Sequence, residues 1–270
     1  MATLPDPHFT DAIPPAEIAR RVERIGVAKA HAPVLSLLVL SLLGGAFISL
    51  GALFFTVIST GSELGFGPTR LLGGLGFSLG LILVVLAGAE LFTGNNLIAM
   101  AWASGLIGLR EVARNWVIVY IGNAIGCLAT ALLVRWTGVA SLSDGAIGQT
   151  AMRLAEAKVN LSMIEAFTRG ILCNALVCLA VWLAIGARGA ADKILAIIFP
   201  VTAFVAIGFE HSIANFFLLP WAILLAPDGA IAFSSTLRSL VVVTAGNVVG
   251  GTLLVAGVYW LAYRRAPRGV

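Results

Sequence analysis

Charged residues in this chain are sparse and fall at nearly even intervals, and the apolar runs between them are long enough to cross a bilayer, for which about 20 residues are needed. Four charge-free intervals each enclose one predicted helix: Lys29 to Glu63, Arg114 to Arg135, Arg169 to Arg188 and Arg238 to Arg264. Two further runs carry an acid in their middle. One extends from Leu71 to Ala89, meets Glu90 and resumes from Leu91 to Leu109; the other extends from Ile194 to Phe209, meets Glu210 and resumes from His211 to Pro227. The residues after each acid, Thr93-Gly94-Asn95-Asn96 and His211-Ser212-Ile213-Ala214-Asn215, are poor material for a lipid-exposed helix. The pattern therefore predicts six spans, the second and fifth of them broken inside the membrane.

Composition removes the alternatives. Of 270 residues, 59% are apolar and only 11% charged, against about 25% charged in a soluble domain. The mean hydropathy is +1.00. Thirty charges cannot cover a water-facing globule of this size, so the chain is an all-α polytopic membrane protein without large extramembrane domains. The net charge of +4 comes from basic residues scattered singly, which excludes a nucleic-acid surface. Cys127, Cys173 and Cys178 lie in apolar stretches, in neither a disulfide nor a zinc spacing, and no cofactor or metal is expected. With both termini cytoplasmic, the inward segments carry eleven Lys and Arg and the outward ones six, which sets the expected orientation. The expected organisation is a cytoplasmic tail over residues 1–33, a membrane domain over 34–263 and a second cytoplasmic tail over 264–270. No cleavable signal is visible, and Ile18, Val22 and Ile25 predict an amphipathic helix lying on the membrane surface, with a short solvated helix the alternative.

The halves repeat. Gly88-Ala89-Glu90 with Asn95 matches Gly208-Phe209-Glu210 with Asn215 at an offset of 120, while Arg114, Gly122-Asn123 and Gly126 match Arg238, Gly246-Asn247 and Gly250 at 124. Each copy, about 34–134 and 165–263, holds three spans, so the second inserts upside down relative to the first. That is the 3+3 inverted repeat of channels and transporters, whose broken helices meet near the midplane, where irregular backbone is tolerated only if it is buried in protein or lines a cavity. Paired glycines such as Gly76 and Gly80 let helices approach closely.

Broken helices point free N–H groups and positive dipole ends into the break, which favours an anion there. Glu90 and Glu210 are read as structural, accepting hydrogen bonds from the amides of their own loops. His211 is the only histidine outside the N-terminal tail, and beside a weak-acid anion it can donate a hydrogen bond or a proton; a buried, satisfied histidine is the alternative. Thr93 offers a hydroxyl from the opposite break. Lys158, before the fourth span, is placed to attract anions toward the pathway, and Asn174 to hydrogen-bond across helices, with His211 one candidate partner. Aromatic and aliphatic residues flanking the breaks, including Phe77, Phe92, Phe204, Leu81, Leu91 and Val177, can form dry constrictions. An intramembrane enzyme using Glu210 and His211 is the competing class. The chain has no HExxH, no second intramembrane His and no Gly-x-Ser-x-Gly, so the residues assemble neither a zinc site nor an activated nucleophile.

The stretches Phe77-Ser78-Leu79-Gly80-Leu81, Gly88 to Asn96, Gly208 to Asn215 and Gly170-Ile171-Leu172-Cys173-Asn174 resemble the signatures of the formate/nitrite transporter family, over about Val34 to Tyr263. The resemblance implies an aquaporin-like bundle in a homopentamer in the inner membrane, each protomer with its own pore for formate, nitrite or hydrosulfide, with passive and proton-linked passage both open. It likens Thr93 to the family's mobile-loop threonine, His211 to its central histidine, Asn174 to the amide beside it and Lys158 to its vestibule lysine. Leu81, Leu91, Phe92 and Val177 resemble the constriction on one side of the histidine, Phe77 and Phe204 that on the other. Gly94-Asn95-Asn96 departs from the Ser-Thr that commonly follows the threonine in formate channels, and the Thr93-Gly94 start also resembles nitrite and hydrosulfide members.

Overall fold

A computed structural model describes residues 12–226 and 231–265, and among these there is helix but no strand. The outer parts of both predicted tails, 1–11 and 266–270, and Pro227 lie outside the described residues. The chain runs through α1 (Pro15–Ala30), α2 (Val34–Ser59) and α3 (Phe66–Leu83), then α4 (Phe92–Asn95), α5 (Ala99–Ala103) and α6 (Leu109–Trp136). After α7 (Ala146–Val159) come α8 (Met163–Gly186), α9 (Ala190–Ile207), α10 (Ser212–Leu225), α11 (Phe233–Val249) and α12 (Val258–Tyr263). Six helical segments among the described residues are long and apolar enough to cross a membrane: α2, α3 with its extension to Gly88, α6, α8, α9, and α11 through α12. The chain is therefore a multi-pass membrane protein.

Close backbone approaches hold the bundle. A Cβ at Gly126 of α6 would collide with the Leu42 carbonyl oxygen of α2, and one at Gly250 would collide with the Ile171 carbonyl oxygen of α8. Leu42 and Ile171 are 129 positions apart and the glycines 124, so the same crossing recurs in each half. In lipid, where apolar side chains gain little by leaving the solvent, such close packing is the main source of helix association.

The breaks fall after the expected runs but differ in build. In the second span, α3 passes into a five-residue π turn, Val84–Gly88; Ala89 and Leu91 are extended, and the chain resumes as the four-residue α4, a 3₁₀ turn over Asn96–Ile98 and the five-residue α5. In the fifth, α9 ends at Gly208 with φ +87, and α10 runs on for 14 residues. The sixth span contains an eight-residue π segment, Gly250–Gly257, that the apolar pattern does not signal.

Helix α1 corrects the expectation of an apolar face turned to the membrane. Ile18, Ala19, Val22, Gly26 and Ala30 are buried on the protein itself, while Ile25 is exposed. Ile13 N–H donates to the Gly186 carbonyl of α8, and a Cβ at Gly26 would stand 3.1 Å from the Ala101 Cβ. On the exposed side, Arg20 and Arg24 hydrogen-bond Glu17 and hold its carboxyl below the usual carboxylate range. Glu23, buried on the inner face, accepts from Arg264 Nε at 2.7 Å and from Ser104 Oγ, which ties α1 to the end of α12.

Candidate functional site

Each break is pinned by the same set of groups. In the first half, the Asn123 carboxamide donates to Ser41 O (2.7 Å) and Glu90 O (2.8 Å) and accepts from Phe92 N–H (2.9 Å). In the second, Asn247 donates to Gly170 O (2.8 Å) and Glu210 O (2.9 Å) and accepts from Ser212 N–H (2.9 Å). One buried side chain thus satisfies the backbone groups that breaking a helix leaves over, groups that cost free energy if unpaired in a medium without water.

The acids follow the same rule, and here the expected partners are corrected. Glu90 accepts from Lys29 Nζ through both oxygens at 2.8 Å and from Asn95 Nδ2 at 2.6 Å. Glu210 accepts from Lys158 Nζ at 3.0 and 2.9 Å and from Asn215 Nδ2 at 2.8 Å. The partners are a lysine from another element and a side-chain amide of the same break, in place of the backbone amides expected. A carboxylate this deep is stable only when paired, and the lysine supplies the charge. Lys158 is accordingly no free vestibule cation: its side chain is 15% exposed and committed to Glu210.

His211 caps the N-terminus of α10. Its Nδ1 accepts from the Ala214 N–H at 3.1 Å, and its Nε2 lies 3.0 Å from Thr93 Oγ1. A backbone N–H can only donate, so Nδ1 must be the bare nitrogen and Nε2 carries the proton of the neutral ring. The ring therefore presents a fixed N–H donor to the space that Thr93 closes. Phe204 stacks on it with centroids 6.0 Å apart, and Phe77 meets it edge-on at 6.5 Å.

A cavity lies on each side of this pair. One, of about 210 Å³, is lined by Lys29, Leu81, Leu91, Gly94 and Asn95, with Val22 and Gly26 of α1. The other, of about 140 Å³, is lined by Arg70, Phe77, Lys158, Arg169, Phe204 and His211. Leu81 and Leu91 thus face the first cavity and Phe77 and Phe204 the second. Thr93 and Val177 are buried and line neither. Phe92 also lines neither, and its ring packs edge-on against Trp116 and Tyr120 of α6.

Asn174 bonds across helices, but not to His211. Its Nδ2 donates to Asn96 Oδ1 and to Asn247 O, each at 2.7 Å, so the histidine was the wrong partner. Sequence reasoning also missed three groups. Lys29 stands 129 positions before Lys158, an offset visible once the first and fourth spans are compared. Asn123 and Asn247 were visible as repeated Gly-Asn pairs, though nothing in the pattern says that they hold the breaks. Arg70 donates to Val205 O (2.7 Å) and Ala206 O (3.1 Å) in the last turn of α9, whereas the position 120 residues on is Ala190, so the first break has no matching arginine.

A family model described as "Formate/nitrite transporter" matches residues 16–261. The chain belongs to that family. Among relatives of this transporter, "Formate channel FocA" of Escherichia coli (strain K12) is 40% identical over 273 aligned positions, covering 94% of this chain and 96% of the relative. "Uncharacterized transporter YrhG" of Bacillus subtilis (strain 168) is 43% identical over 256 positions, covering 94% and 95%. A solved structure titled "Pentameric formate channel with formate bound" matches with a TM-score of 0.81 at 40% identity, covering 86% of this chain and 98% of that one. A second, titled "FNT family ion channel", gives 0.81 at 32% identity over 94% and 98%.

Proposed function

We propose that this transporter passes formate between the two cavities through the space bounded by Thr93 and His211. The orientation of the histidine is the observation that carries the reading: with Nδ1 occupied by the Ala214 amide, Nε2–H donates toward an anion that has left its hydration shell. A hydrogen bond to a charged acceptor is among the strong ones, and a dry site strengthens it. Leu81 and Leu91 on one side, and Phe77 and Phe204 on the other, keep water and hydrated ions out. Lys29 and Lys158, neutralised by Glu90 and Glu210, hold the breaks and make each approach less repulsive to an anion.

Relatives and a solved structure named for formate support the choice of anion; nitrite and hydrosulfide are less supported alternatives in the same pathway. The protomer works in a homopentamer in the inner membrane, with both termini cytoplasmic and the two halves inverted, and it carries out no covalent chemistry. Proton coupling is a second reading: a ring that also took a proton at Nδ1 would lose the Ala214 bond, so coupling requires the start of α10 to loosen in every cycle.

Uptake of labelled formate into proteoliposomes, with nitrite and hydrosulfide as competitors, across pH and with or without a proton gradient, tests both. Formate is expected to enter and His211→Phe to lose at least tenfold in rate. If His211→Phe transports with unchanged rate and pH dependence, the histidine has neither role. If no small anion enters, the transport reading falls.

A further inference from the structure

The first break carries a tie that the second lacks. The Asn174 carboxamide, fully buried on α8, donates at 2.7 Å to Oδ1 of Asn96, the residue that begins the 3₁₀ turn after Thr93-Gly94-Asn95. The same NH₂ group donates to Asn247 O, so one amide links the first break to the fourth and sixth spans. Neither asparagine has an equivalent in the other half. At the position 129 residues before Asn174 stands Gly45, and 120 residues after Asn96 stands Phe216. Gly251 leaves room for the tie: a Cβ there would lie 2.6 Å from Asn174 Nδ2 and 2.7 Å from the Asn96 Cβ. Asn96 Nδ2, also buried, has no partner, so the side chain is held by its oxygen alone.

The segment it holds needs outside support. The run from Phe92 to Ala103 is twelve residues of mixed α and 3₁₀ helix, a length that is marginal alone, and Thr93, three residues before Asn96, is the group that meets His211 Nε2. Beyond Asn96, the segment from Thr93 to Asn95 is tied to other elements by the Cys178 thiol on Thr93 O at 3.4 Å, by Trp116 Nε1 on Asn95 O at 3.0 Å, and by the Lys29 and Asn115 contacts of the Asn95 side chain.

We propose that Asn96 and Asn174 form a clamp that sets how often the Thr93 segment leaves His211, making Asn96 a positioning residue that controls rate and size discrimination. With the clamp made, Thr93 closes the space; with it broken, the segment swings and the pathway opens more often and wider. The proposal rests on the reading of Thr93 and His211 as the centre of the pathway, but hydrogen exchange of the segment does not depend on which anion crosses. Failure of the unmodified channel to take up formate would remove that reading while leaving exchange to judge the clamp.

The test uses the full chain in nanodiscs and proteoliposomes. Asn96→Ala is expected to speed amide exchange over residues 93–96 about tenfold, the value of one net hydrogen bond, with exchange in α6 and α10 unchanged. Formate uptake is expected to rise severalfold and the ratio of formate to acetate uptake to fall. Asn174→Ala should act in the same direction, and the double variant should show no further gain in exchange. Gly251→Ala keeps both amides but wedges them apart; it should reproduce the local effect and decides the matter if Asn96→Ala does not fold. Exchange over 93–96 unchanged in the variants, or effects of the two asparagine variants that simply add, overturn the clamp.

Discussion

The two breaks share their pins and differ in the chain beyond them. Both acids are met by a lysine and an asparagine, and both broken backbones by an asparagine of the next span. After the second break, however, the chain enters a 14-residue helix whose Ile213, Phe217, Leu219 and Trp221 are fully buried, and the C-terminal end of α9 before it is capped by Arg70. After the first, the chain runs through twelve residues of mixed α and 3₁₀ helix, Phe92 to Ala103, held from outside by side chains of α6, α8 and α1. Equal pinning with unequal continuation distinguishes the two: the second break carries the donor, His211, and the first carries the hydroxyl that faces it.

Loss of an acid should produce the largest effect and expose the asymmetry. Glu210→Gln leaves Lys158 buried without its countercharge, a change that costs about 3–5 kcal/mol for a buried pair. Glu90→Gln should cost less, because the Lys29 side chain is 28% exposed and can reach water. Thermal unfolding in detergent measures both; an equal loss would mean that the two lysines are equally enclosed.

The asparagines should instead behave alike. Asn123→Ala and Asn247→Ala each strand two polar backbone groups of a break, worth about 1–3 kcal/mol per buried group left unpaired, so the two unfolding midpoints should drop together. A large difference would show that one break finds other partners when its asparagine is gone.

The smallest effect is expected at Arg70, which serves the second break alone. Arg70→Met removes two hydrogen bonds to the end of α9, at roughly 1 kcal/mol each. Exchange over Phe204–Gly208 should speed up while that over Val84–Gly88 does not. If both respond, the breaks are coupled more tightly than their separate pins imply.

Much of this was legible in the sequence, for identifiable reasons. Spans are readable because lipid admits few charges, and the acids at 90 and 210 stand out as exceptions to that rule. Thr93 and His211 could be named because they are polar groups at a break, and the structure puts them 3.0 Å apart. Their partners were less accessible. Lys29 lies in a stretch that reads as a surface helix, and only the fold turns it toward Glu90. Asn174 offers an amide with two possible donors, and periodicity says nothing of whether it meets His211 or Asn96. The inward face of α1 looks the same for lipid as for protein, since both accept Ile18 and Val22. The π segment at Gly250–Gly257, whose Gly250 closely approaches the Ile171 carbonyl of α8, has no sequence pattern of its own.

The most direct test of unequal mobility is hydrogen exchange of both breaks in the same nanodisc sample. The account predicts that the amides of Thr93–Asn96 exchange at least tenfold faster than those of Ser212–Asn215. Equal rates, or faster exchange beside His211, would contradict it.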